Sequence, residues 1–169
     1  GYVERGRTNF PHRCSMMKDQ AYIDKLQLNQ LEEFVRQKNI LLKSYIVLYT
    51  DVMEQMENED YDTLAEKLEG CAVIEESVTD IENQISIITS DYNQDNEMIL
   101  TLRGTIEPSA CSPYYKKLAD EVWTSKRLLK NCQVLNEKIT YKYAHLFPSI
   151  QGEMAEALEE EWREGFYVG

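Results

Sequence analysis

Few residues in this chain are of types and at spacings that could do chemistry. The two histidines, His12 and His145, stand far apart, and the residue three before His145 is Lys142 rather than Glu. The Glu-x-x-His pair that seats a di-iron or di-manganese centre on a long helix is therefore missing. Cys14, Cys71, Cys111 and Cys132 are separated by long gaps, with no Cys-x-x-Cys or Cys-x-x-His. They make neither a zinc pattern nor a dense disulfide framework. Cys71 and Cys132 fall on apolar stripes, where a small buried thiol is expected. A reducing cytoplasm suits such thiols. Adjacent carboxylates occur at Glu32/Glu33, Glu75/Glu76 and Glu159–Glu161. Acid–base catalysis needs such groups enclosed and shifted in pKa, whereas these positions read as solvated faces and helix ends. No phosphate-binding loop, dinucleotide fingerprint or nucleophile elbow is present. The expectation is a chain that is not an enzyme, with no catalytic residue, no cofactor and no metal.

The elements that would position any site are helices. Leu31 to Met56 runs for 26 residues without Gly or Pro. Its apolar residues include Leu31, Phe34, Leu41, Leu42, Tyr45, Leu48, Tyr49 and Val52, a three-and-four spacing that gathers on one helix side. The stripe is too wide for one partner helix and calls for a bundle core. A first helix is expected from about Lys18 or Asp19 to Met56, with Ile23 and Leu26 extending the stripe and Glu32–Arg36 as an i,i+4 pair. Residues 1–17, with Arg5, Arg7, Arg13 and Pro11, read as a flexible N-terminal arm.

A short acidic turn at residues 57–60 offers Asn58 or Asp60 as N-cap to a second, antiparallel helix. That helix is expected from near Tyr61, in phase across Gly70, with its weak point at Asp91–Glu97, and ending at Gly104 as C-cap. Ser112-Pro113 starts a third helix, which Pro148 ends near Phe147. The fold class expected is all-α: an antiparallel bundle of three long helices over residues 18–148, with a short C-terminal helix or tail over 149–169.

In that tail Met154, Leu158, Trp162 and Phe166 recur every four residues opposite a strongly acidic face. Folded back, they would cap the bundle; mobile, they would find a partner helix or groove. They are the candidate partner-binding residues. The chain holds 30 acidic against 18 basic residues, net −12. Nucleic-acid binding needs a cationic surface to displace counterions, so nucleic acid and anionic lipid are not expected partners. No apolar run approaches the ~20 residues that span a bilayer. The N-terminal arginines precede no apolar core, so they do not make a secretory signal.

Two stretches carry a resemblance. Leu48–Leu68, LYTDVMEQMENEDYDTLAEKL, forms a helix–turn–helix around an E-N-E-D-Y-x-x-L joint, and Leu128–Ile139, LLKNCQVLNEKI, forms an Asn-bearing third helix. Together, over roughly Lys18–Pro148, the pattern resembles the FlgN-type flagellar export chaperones, with the FliT-type as the related alternative. The arginine arm is not part of that pattern. What the resemblance implies is a cytoplasmic chaperone without ATPase activity, binding hook–filament junction subunits before secretion. The competing expectation is a structural or regulatory coiled-coil module that self-associates as a homodimer.

Overall fold

The computed structural model describes the backbone of residues 2–143 and the side chains of residues 21–141. All regular structure among them is helical: α1 (Tyr2–Glu57), α2 (Leu64–Thr89), α3 (Glu97–Leu102), a 3-10 turn (Pro113–Tyr115) and α4 (Lys116–Tyr143). The four α-helices pack against one another, and α1 is the member that both α2 and α4 line. α2 runs back along α1, as the cross-helix pairs show: Asp51 with Lys67, Tyr45 with Glu75, Lys38 with Glu82. α4 runs in the same direction as α1, pairing Glu32 with Lys117, Asn39 with Glu121 and Tyr49 with Asn136.

Apolar side chains fill the bundle in two clusters. The first joins Leu28, Leu31 and Val35 to Ile81 and Ile85, to Met98, Ile99 and Leu102, and to Leu118 and Val122. The second joins Leu42, Tyr45 and Tyr49 to Cys71, Val78 and Cys132. Both thiols are free and buried, as the stripes led one to expect. Between the clusters lies a buried polar layer of Lys38, Asn39, Glu82 and Ser125.

Several expectations are corrected. The first helix begins at Tyr2 instead of near Lys18, so residues 2–17 continue it. Once a packed segment has nucleated a helix, added residues other than Pro11, which has no N–H to donate, extend the hydrogen-bond ladder at little further cost. α1 thus spans 56 residues, about 84 Å at ~1.5 Å per residue. It overshoots its partners, because α4 comes alongside only at Glu32 and Lys117. Ile23 and Leu26 are exposed and do not extend the core, because at their level it is Asp24, Gln27 and Leu28 that face the bundle, the first two within hydrogen-bond reach of the Tyr92 hydroxyl.

The second helix is not continuous to Leu102. It stops at Thr89, and the chain restarts as α3. Asn93 and Asn96 divert the backbone: Asn93 Oδ1 accepts from Asp95 N–H at 3.1 Å, and Asn96 Oδ1 from Met98 N–H at 2.8 Å. Such local side-chain acceptors compete with helix continuation. Gly104 does end α3 as expected. It sits at φ +71°, its N–H bonds Thr101 O, and Thr105 N–H bonds Leu100 O, the paired closure of a Schellman cap.

Neither Asn58 nor Asp60 caps α2. Thr63 takes that place in a left-handed conformation without a side-chain cap bond, while Asp60 Oδ1 accepts from Asp62 N–H at 3.1 Å within the turn. Ser112 precedes the third long helix but does not cap it by its side chain. Its N–H and its hydroxyl both donate to Glu97 Oε1, at 2.9 and 2.5 Å, which ties the loop to α3.

Candidate functional site

The carboxylate pairs divide their labour. Glu33, not Glu32, engages Arg36: Nε donates to Oε2 at 2.9 Å and Nη2 to Oε1 at 2.5 Å. This fork holds the Glu33 carboxyl below its ordinary value. Glu32 turns toward α4, 3.9 Å from Lys117. Partial burial raises its pKa, Lys117 opposes that, and Glu121 adds to it. Glu76 is exposed, while Glu75 accepts from the Tyr45 hydroxyl at 3.0 Å. The expectation of solvated carboxylates thus fails for Glu32 and Glu75, while Glu159–Glu161 lie outside the described residues. A helix presents successive residues about 100° apart, so two adjacent side chains need not share a face.

Glu32 and Glu75 attach to different neighbours, one on α4 and one on α1, and they do not converge. Among the described residues, no group of three or more His, Cys, Asp or Glu stands ready to hold a metal ion. No helix among them is long and apolar enough to cross a membrane. The predicted contact residues Met154, Leu158, Trp162 and Phe166 lie outside the described residues, as does His145.

The interior polar side chains make cross-helix ties. Asn39 Nδ2 donates to Glu121 O and to Glu121 Oε2, both at 2.9 Å, and the Ser125 hydroxyl donates to Asn39 Oδ1. Tyr49 donates to Asn136 Oδ1 at 3.0 Å, and its ring stacks on Tyr45 with centroids 5.1 Å apart. Sequence reading missed this layer, although a signal exists. The α1 stripe skips from Phe34 to Leu41, and Lys38 and Asn39 fill the gap in phase. On α4 Ser125 fills a gap of the same kind between Val122 and Leu129, whereas on α2 the stripe is unbroken through Ile81 and Glu82 is buried beside it.

Apolar side chains are exposed at several places on the outer surface, Val73 and Ile87 of α2 among them. On α4, Val134 and Tyr141 are exposed. On α1, a shallow open groove of about 690 Å³ is lined by Lys43, Ser44, Val47, Thr50, Asp51 and Glu54, with Leu48 and Ile74 at its side. Val47 is 71% exposed. These surfaces suit contact with another protein more than enclosure of a small molecule. In comparisons with known proteins, no family model, no curated protein and no solved structure matches this chain.

Proposed function

We propose that this chain works by binding rather than turnover, as a cytoplasmic export chaperone of the FlgN type that holds hook–filament junction subunits before flagellar secretion. In this reading three long helices form one antiparallel bundle, and residues 149–169 are its cargo-binding tail. The observation that carries it is a pair of apolar side chains left exposed on one side of the end of α4, with the exposed Glu137 and Lys138 between them. Tyr141 is 89% exposed, and Val134 is exposed seven residues before it, two turns away on the same side of the helix. That face leads in sequence to Met154, Leu158, Trp162 and Phe166. A subunit terminus that forms an amphipathic helix, unpaired before assembly, offers the matching stripe. The ties of Asn39 to Glu121 and Ser125 and of Tyr49 to Asn136 support the same reading, because cross-helix hydrogen bonds of this kind keep a binding platform rigid.

Calorimetric titration of the full chain with the C-terminal fragment of a hook–filament junction subunit tests the proposal. Saturable one-to-one binding is expected, weakened about tenfold or more by Tyr141→Asp and by Leu158→Asp combined with Trp162→Asp. Absence of binding to every filament-axis protein would remove the function. Unchanged affinity in the double variant would remove the tail from the mechanism.

A further inference from the structure

We propose that the outer face of α1 centred on Val47 is a contact between two copies of this chain, related by a two-fold axis through Val47. The inference stands on the groove itself and does not depend on the chaperone reading. Out to four residues the face is symmetric in chemistry about its centre; at seven residues the match ends, with Ile40 on one side and Glu54 on the other. Ser44 and Thr50 stand three residues to either side of Val47, and Lys43 and Asp51 stand four. All lie on one stripe at three-and-four spacing.

In a two-fold interface each residue meets the counterpart of its own partner. When two α1 helices cross antiparallel at Val47, position 47 minus n meets position 47 plus n. Val47 then meets Val47, Ser44 meets Thr50, and each Lys43 meets an Asp51, so the charge pair forms twice. A parallel arrangement would set Lys43 on Lys43 and Asp51 on Asp51. Another occupant would match the charges of this face by setting an acid against Lys43 and, beside Lys67, a base against Asp51 at the same eight-residue interval. A second copy carries that pattern by its own sequence.

The local chemistry permits the face to be covered. The Ser44 hydroxyl already donates to Ile40 O at 3.1 Å and the Thr50 hydroxyl to Ile46 O at 2.7 Å, so burial strands neither donor. The small side chains flanking Val47 allow helix axes to approach within about 8–10 Å. Asp51 receives Lys67 through Oδ2 at 2.5 Å, and a carboxylate has a second oxygen to accept Lys43. Each copy carries a net charge of −12, which opposes association in general. The paired Lys43 and Asp51 contacts supply the local complementarity that selects this register.

Sedimentation equilibrium on the full chain, with helicity and melting checked for every variant, tests the inference. The wild-type chain is expected to show a concentration-dependent monomer–dimer equilibrium. Lys43→Asp alone and Asp51→Lys alone each weaken it about tenfold or more, because each turns two attractive contacts repulsive. The two exchanges together restore association, and Val47→Asp abolishes it. Val47→Cys is expected to cross-link dimers under mild oxidation where the wild type does not. A wild-type chain that stays monomeric would overturn the proposal. So would a dimer indifferent to Val47→Asp, or a charge exchange that fails to restore it. A monomer whose binding to a junction-subunit fragment is lost with Val47→Asp would give the face to cargo instead, and would likewise overturn it.

Discussion

Lys38 of α1 and Glu82 of α2, 44 positions apart in sequence, form an ion pair between the two apolar clusters, with 9% and 5% of their side chains exposed. Lys38 Nζ donates to Glu82 Oε1, while Glu82 Oε2 is buried without a hydrogen-bond partner. Burying the two charges is expensive, and their attraction offsets that only in part. The pair therefore adds little net stability but makes neighbouring registers of α2 on α1 costly. A slip of α2 by one turn would set each charge against apolar side chains.

Removing one partner is accordingly expected to harm the fold more than removing both. Lys38→Met or Glu82→Leu alone should lower unfolding free energy by about 3 kcal/mol, the range for an uncompensated buried charge. The double variant should recover most of that loss. Urea denaturation of the four proteins in the cycle gives the coupling directly. Additive losses would mean the pair does not couple the helices.

Gly70 offers a gain in stability. It lies inside α2, where a glycine is less favourable than alanine by about 0.5–1 kcal/mol. A Cβ there would meet Leu48 Cδ2 at 3.0 Å, tighter than ordinary contact. Leu48 is only half-buried and borders the open groove, so its side chain has room to turn away. Gly70→Ala is expected to stabilise by about 0.5 kcal/mol, read as a higher melting temperature. Gly70→Val adds two methyl groups at the same contact and is expected to destabilise.

Stability should also fall on the alkaline side. Burial pushes the Cys71 thiol up to about 11 and the Cys132 thiol up to about 12, against 9.0 when unperturbed. Tyr45 and Tyr49 are raised as well, by burial first, then by Glu75 for Tyr45 and by Cys71 for Tyr49. These groups are neutral when protonated, so the folded chain keeps protons that the unfolded chain releases. Their contribution is complete below about pH 9 and is lost as pH rises through 11 and 12. Denaturation at stepped pH should show a level midpoint up to about pH 9 and a decline above it. Cys71→Ala with Cys132→Ala should make that decline shallower.

Much of the fold was legible because amphipathic spacing is written locally. Val78, Ile81 and Ile85 are core residues as their period demands, and Gly104 closes its helix as its type demands. The break after Thr89 was foreshadowed by polar Asp91–Glu97, but its form was not. Whether an asparagine caps, turns or faces water depends on which backbone N–H it can reach. The Glu32–Arg36 pairing failed for a similar reason. Both i+3 and i+4 partners are within reach on a helix, and α4 draws Glu32 away to Lys117.

The sequence by itself determined that the described chain is helical, where its apolar stripes lie, and that Cys71 and Cys132 sit on them, since each follows from spacing along one element. Only the tertiary structure decided that Lys38, Asn39, Glu82 and Ser125 occupy the interior and that Val47 faces outward. A side chain is buried when another helix lies beside it at the same level. That level is set by turn geometry and by the overhang of α1 beyond its neighbours, neither of which any single stretch of sequence contains.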